Sequence, residues 1–520
     1  MIMSKNYFIG IDIGGSVVKA VLFDEEGQTV AVGHRKFRPV SDHPGHMEKN
    51  MNEVWDAAKD ILKQISDKAG SDVENIRAIG LTGAGYGAWL IDADGNPVRR
   101  AIAYEDDRAK DIVRRWYDEG IADRYYEITG SGLMPGATPP FIRWFKDNEP
   151  EVLKESRYVL SAQQWLHYKL TGVISTDETG ASIAMGDLRK NEYSDELFDL
   201  LGIAEYKYLF PPIRTAFEIT GTILPEVAKE VGLPDSILVN NSPTDINTCV
   251  VGAGVIDEGV VNSNPGTAHG NLYITNKPEL ENSWGDQTMA LDSPNTRYVH
   301  SVLTCYGAPS QDWFIDNFCG EDKKEAEDKN ISIYDLLAER VAEIPAGSDG
   351  VLWNPLRVTF GEGIPFANLD NSGFFVGIKP YHTRYHLLNA VYEGDALTSR
   401  RNMERSKVKA RELVLSGGMS SSERWCQAIV DVFNVPGKIL NNPEACALGA
   451  AIHAALAAGY FKTLREAVNS MVSYRKTYLP DPDAHERYEK LYGIFTKLYD
   501  DLGESWHKIE AWQKEYPLVG

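Results

Sequence analysis

Cysteine is scarce in this chain. Its 520 residues hold five, Cys249, Cys305, Cys319, Cys426 and Cys446, scattered and with no CxxC pair. A disulfide framework and a cysteine-based zinc cluster are therefore excluded, and a reducing cytosol fits. Long apolar runs are missing too: none reaches the roughly 18 residues that a membrane helix needs. No charged-then-apolar leader opens the sequence, so neither secretion nor membrane insertion is expected, and the expected location is cytoplasmic. Positive charge is in deficit, with 53 Lys and Arg against 75 Asp and Glu and a formal net charge of −22. Nucleic acid and anionic membrane are poor partners for such a chain. No GxxxxGK[ST] occurs, which removes a P-loop. "GAGYGAW" (83–89) lacks the GxGxxG spacing and leads into a strand, so a nicotinamide site is discounted.

What remains is an ordinary globular composition, 43% hydrophobic and 25% charged. The length calls for two or more domains. Strand-like and helix-like runs alternate, so the class is α/β. "MNEVWDAAKDILKQISDKA" (51–69) carries apolar residues at helical spacing, and "SAQQWLHYKLTG" (161–172) reads as a helix stopped by Gly172. "NNPEACALGAAIHAALAAG" (441–459) holds eight alanines between 444 and 458, so its helix can pack very closely on a neighbour.

"YFIGIDIGGSVVKAVLFDEEG" (7–27) places a glycine turn between two strand-length apolar runs. A plain β-hairpin is one reading. The other starts from Asp12, an acid at the end of an apolar strand, where a carboxylate is costly unless paired or bound to a metal. Beside it Gly14, Gly15 and Ser16 offer unscreened amides, a concavity suited to anions. An acid for a cation next to amides for phosphate suggests a metal–nucleotide site. The pattern returns in "EGVVNSNPGTAHGNLYIT" (258–275), which predicts two lobes built on related hairpins and facing each other across a cleft. Gly14–Ser16 and Gly266–Thr267 would then hold one polyphosphate, with Asp12 on Mg²⁺ and Lys19 neutralising phosphate charge. A surface lysine on a hairpin strand is the plainer account of Lys19. Gly417 and Gly418 stand at a strand–helix junction, where a nucleotide can approach the backbone; a helix cap without ligand is the plainer account there.

The chain resembles the FGGY carbohydrate kinases of the sugar kinase, actin and Hsp70 superfamily. The resemblance spans nearly the whole length. It rests on the 10–24 hairpin and on "GHMEKNMNEVW", "IGLTGAGYGAWLIDADGNPV", "AIAYEDDRA" and "YKLTGVISTDETGAS". It continues through "NSPTDINTCVVGAGVIDEGVV", "NPGTA", "LNAVYEGDA", "LSGGMSSSERWCQAIVDVF", "PEACALGAA" and the tail "YLPDPDAHERYEKLY". It implies two actin-like (ribonuclease H-like) lobes with a central cleft, here 1–254 and 255–520, and transfer of the γ-phosphate of ATP to a sugar or polyol hydroxyl with Mg²⁺. Relatives of this kind are often homodimers. Asp245 matches the catalytic acid and also belongs to the acceptor side. By itself it reads as a helix-start residue, and the dipole there predicts a low pKa. Asp12 matches the metal-side acid. Gly14, Gly15, Ser16 and Lys19 match the first phosphate turn and Gly266 and Thr267 the second. Gly417 and Gly418 match the adenine-proximal glycines, and Gly307 a nucleotide-side glycine.

On the acceptor side Ala84, Gly85 and Tyr86 stand where xylulokinases usually have Gln-Met-His and glycerol kinases have Arg-Glu. Tyr104, Glu105 and Asp106 replace the usual Trp-Asn-Asp, and the family's Gly-Thr-Ser is Gly-Thr-Ala. Tyr86, Glu105 and Asp106 are the expected acceptor-binding residues; Tyr86 reads equally as a core tyrosine. The N-terminal region is most similar to L-xylulose and related ketose kinases, which implies a five-carbon ketose. A polyol of the erythritol or glycerol type stays open. So, from another class, does an actin- or Hsp70-like nucleotide switch, although no peptide-binding or polymerising module is visible. A transcription regulator on the same fold would need a basic helix pair that the sequence lacks.

Overall fold

The structure is a computed structural model. It describes residues 5–516 apart from 44, 242, 266–267, 279, 281–286, 292–295, 356–371, 405 and 407. The packing divides the chain into two units: 1–256 with 274–300 and 444–473, and 257–273 with 301–443 and 474–520. The first crossing falls at Ile256/Asp257. Residues 274–300 and 444–473 then return to the first unit.

The first unit is organised by a six-stranded sheet in the order Ile219–Thr222, Leu238–Asn240, Ile76–Gly83, Tyr7–Ile13, Val17–Asp24, Thr29–Lys36. Tyr7–Ile13 pairs antiparallel with Val17–Asp24 and parallel with Ile76–Gly83. The register sets Asp12 opposite Lys19 on one side and Thr82 on the other. The helix Met51–Ala69 starts where Asn50 accepts hydrogen bonds from the amides of Asn52 and Glu53. It buries Val54, Ile61, Leu62 and Ile65 in the sheet's core.

The alanine-rich segment forms the helix Ala445–Ala457, in this unit. Gly10 and Gly80 stand side by side in the parallel register. A Cβ on Gly10 would lie 1.8 Å from the carbonyl oxygen of Ala447, and one on Gly80 2.0 Å from that of Ala450. The two glycines therefore let helix backbone rest directly on sheet backbone. The helix Asp245–Gly252 packs on the same alanine-rich helix by the same means. A Cβ on Gly449 would stand 1.8 Å from the oxygen of Thr248, and one on Gly252 1.9 Å from that of Ala445.

The second unit repeats the hairpin arrangement. Val260–Pro265 pairs antiparallel with Ala268–Thr275 and parallel with Glu412–Leu415. Glu412–Leu415 runs parallel to Gly437–Leu440, which pairs antiparallel with Tyr474–Tyr478. The helices Arg384–Met403 and Glu423–Phe433 supply much of this unit's core, and the chain ends in a long helix, Pro482–Glu515. Among the described residues no helix is long and apolar enough to cross a membrane.

Candidate active site

The first unit gathers most of the residues singled out above. The turn 14–16 is closed by the Gly14 amide donating to the Val17 carbonyl at 2.9 Å. A Cβ on Gly15 would meet Glu105 Oε1 at 2.6 Å, so Glu105 reaches this turn. Lys19 Nζ donates to Glu444 Oε2 at 2.7 Å, which ties the hairpin to the residue that precedes the alanine-rich helix.

Asp245 opens the helix Asp245–Gly252, and Thr244 is its cap. Three contacts hold that cap in place. Thr244 bridges to Gly83 at the end of the central strand, its amide donates to Thr179 Oγ1 at 3.0 Å, and its hydroxyl meets the Met289 sulfur at 3.3 Å. Thr82 Oγ1 adds bonds to the Pro243 carbonyl at 3.1 Å and to Thr248 Oγ1 at 2.8 Å. The strand–helix connection that carries Asp245 is thus rigidly positioned.

Burial pushes the Asp12 carboxyl up to about 7, with the Asp245 charge adding to it and Lys19 pulling the other way. Asp245 is also raised by burial, although the Ile246 amide, donating to Oδ1 at 2.7 Å, works to lower it. This corrects the low pKa expected from the helix start. Loss of water around the carboxylate outweighs two backbone amides and the dipole of an eight-residue helix. An acid whose ionisation is hindered by a second acid favours a hard divalent cation. Among the described residues no three His, Cys, Asp or Glu form a metal cage by themselves. A Mg²⁺ ion would therefore complete its shell with phosphate oxygens and water, as it commonly does. The Cys446 thiol is raised by its bond to Cys249, by burial and by both acids.

The wall next to Asp245 is aromatic and apolar. Tyr86 packs with Ala137, Ile183 and Met289, and Tyr104, Met134 and Ile246 lie against them. Tyr86 OH accepts from Gln287 Nε2 at 2.5 Å. Burial first, and then the Asp245 charge, keep the Tyr86 phenol protonated. Tyr104 is held likewise, by burial, Glu105 and Asp245. Glu105 lies 3.8 Å from Lys49 Nζ, yet its buried Oε2 accepts no hydrogen bond among the described residues. Asp106 is differently occupied. Its oxygens take Arg108 Nε and Nη2, each at 2.8 Å, and the Met47 amide at 2.6 Å.

In the second unit Gly307 caps the helix Ala308–Phe318. Gly417 has φ +79°, and a Cβ there would strike Asn264 Oδ1 at 2.3 Å. Gly418 opens the short 3-10 turn Gly418–Ser421 before the helix Glu423–Phe433, with nothing within 4 Å of where a Cβ would stand. Gly266 and Thr267 lie outside the described residues.

Sequence reasoning missed Gln287, Met289, Lys49 and Glu444. Glu444 lies in a quoted motif but had no role. Gln287 and Met289 sit on a four-residue strand with no motif around it, and only folding brings them to Tyr86.

Models of the FGGY family of carbohydrate kinases match the chain over residues 7–252 for the N-terminal domain and 262–458 for the C-terminal domain. A probable L-xylulose kinase of Haemophilus influenzae is 28% identical over 505 residues, 96% of this chain and 99% of that protein. The L-xylulose/3-keto-L-gulonate kinase of Escherichia coli is 29% identical over 496 residues, 95% of this chain and 96% of that protein. A ligand-bound xylulose kinase from Lactobacillus acidophilus superposes with a TM-score of 0.87 at 23% identity, over 97% of this chain and 100% of that one. The fold is therefore the actin-like α/β fold of the sugar kinases. The chain belongs to the FGGY family of carbohydrate kinases, phosphotransferases that act on a sugar hydroxyl.

Proposed function

We propose that this kinase transfers the γ-phosphoryl group of ATP, bound with Mg²⁺, to a hydroxyl of a ketopentose of the xylulose type. The observation that carries this reading is Asp245. It is a half-buried carboxylate of raised pKa, fixed by Thr244 and bordered by the Tyr86 wall. Asp245 orients the acceptor hydroxyl and takes its proton late in the transfer. Its raised pKa makes it a stronger base than an ordinary carboxylate. Phosphoryl transfer asks the protein mainly for positioning and charge neutralisation. Bound Mg²⁺ would neutralise phosphate charge, and Asp12 is the residue on this chain to hold it.

The amides of Gly14, Gly15 and Ser16 and the Lys19 ammonium serve the phosphates, Lys19 by leaving Glu444. Gly266, Thr267, Gly307, Gly417 and Gly418 serve the nucleotide. Tyr86 and Glu105 face the acceptor, and Asp106 acts by holding the 104–108 segment through Arg108. The names of the relatives from H. influenzae and E. coli support a ketopentose acceptor. The second acceptor in the E. coli protein's name makes a sugar acid a necessary member of any panel. The test is ADP release with pentuloses, tetritols, glycerol, hexoses and sugar acids. A ketopentose should give the highest kcat/KM. ADP release indifferent to every acceptor would overturn the reading in favour of a nucleotide switch.

A further inference from the structure

Gln163 is the second residue of the helix Ala162–Thr171 and has no solvent exposure. Its neighbour Gln164 is fully engaged. The Oε1 of Gln164 accepts from the Ser161 amide at 3.0 Å and its Nε2 donates to Thr176 Oγ1 at 2.6 Å. Gln163 differs: neither its Oε1 nor its Nε2 has a hydrogen-bond partner among the described residues. The large majority of buried amides are paired, because an unmet donor or acceptor retains its full desolvation cost.

The place of this carboxamide points to its use. It lies against the backbone at the end of the central strand. Its Oε1 is 3.0 Å from the Cβ position of Gly83, and its Nε2 is 3.6 Å from that of Gly85. Gly85 directly precedes Tyr86, and its own Cβ position is 2.6 Å from Thr244 Cγ2, next to Asp245. Ile183 Cδ1 shares that space, also 2.6 Å from the Gly85 Cβ position. A side chain at 83 would crowd the carboxamide. A carboxamide offers one acceptor and two donors without charge, which matches a hydroxyl.

We infer that Gln163 is a specificity-determining residue whose carboxamide takes one hydroxyl of the acceptor, behind the 83–86 turn. This rests on the kinase reading above. A site built to pair a substrate hydroxyl rejects the analogue lacking it strongly, since the protein group is then left unpaired.

The experiment compares the wild type, Gln163→Met and Gln163→Glu on the best ketopentose and on its monodeoxy analogues, one per hydroxyl. The wild type should reject one analogue roughly 100-fold or more. Gln163→Met should lower kcat/KM for the parent sugar by about that factor and leave that one analogue almost unchanged, so that discrimination collapses at a single hydroxyl. Gln163→Glu, which keeps an acceptor but loses the donors, should retain part of it. KM for ATP should not move, and the free Gln163→Met protein should melt no lower than the wild type. An equal fall on all analogues, or unchanged discrimination in both variants, overturns the role of Gln163 while the kinase reading stands. A wild type that phosphorylates none of the acceptors overturns both.

Discussion

The charge of Asp245 raises the proton affinity of Asp12, so the two acids at the ends of a strand and a connection act as one electrostatic unit. Replacing Asp245 by Asn should remove that charge and lower the Asp12 pKa from about 7. Carboxyl NMR titration of labelled Asp12 measures it. The same variant should lose phosphoryl transfer by a factor on the order of 10² or more while still binding nucleotide. A variant that keeps its rate would remove Asp245 from the chemistry.

The raised Asp12 pKa also sets a pH dependence of stability. A folded-state pKa above the unfolded value favours the folded protein at low pH. That contribution is complete below the unfolded pKa near 4 and is lost as pH rises to about 7. The buried His167, His300 and His453, each lowered by burial to about 4, act in the opposite sense over pH 4 to 6.5. The comparison is therefore between wild type and Asp12→Asn. Melting temperature should fall more, or rise less, between pH 4 and 7 in the wild type. Mg²⁺ should stabilise the wild type more at pH 8 than at pH 5, because it favours the ionised pair.

Close backbone packing makes a third prediction. Gly449→Ala would push a methyl group into the Thr248 carbonyl, where the Cβ has only 1.8 Å. The cost should be about 1–3 kcal/mol or more, read from denaturant unfolding. Because the displaced helix begins at Asp245, kcat should fall in the protein that remains folded. An unchanged midpoint with full activity would refute the packing argument.

Gly418 separates nucleotide contact from stability. A Cβ there meets nothing within 4 Å, so Gly418→Ala should melt like the wild type. If nucleotide approaches that backbone, KM for ATP should rise roughly tenfold, equivalent to about 1.4 kcal/mol, with kcat for the acceptor little changed. An unaltered KM would detach Gly418 from the nucleotide.

Much of the site could be read from the residues alone. The Asp12–Gly14–Gly15–Ser16 hairpin, the repeat at 258–275 and the close-packing helix at 441–459 are local patterns. Their signal lies in spacing, and the observed strands and helices follow it. Three things could not be read so. Asp106 looks available in sequence but is saturated by Arg108 and the Met47 amide. Asp245 looks acidic at a helix start but is raised by burial. Gln163 and Gln287 belong to no motif.

The order of residues by itself determined the glycine hairpins and the family. Those depend on neighbours a few positions apart and on motif order along the chain. Tertiary structure alone decided which carboxylates are free, which titrate high, and which amides are left unpaired. The reason is physical: desolvation and hydrogen-bond partnership come from residues tens or hundreds of positions away, and spacing carries no record of them.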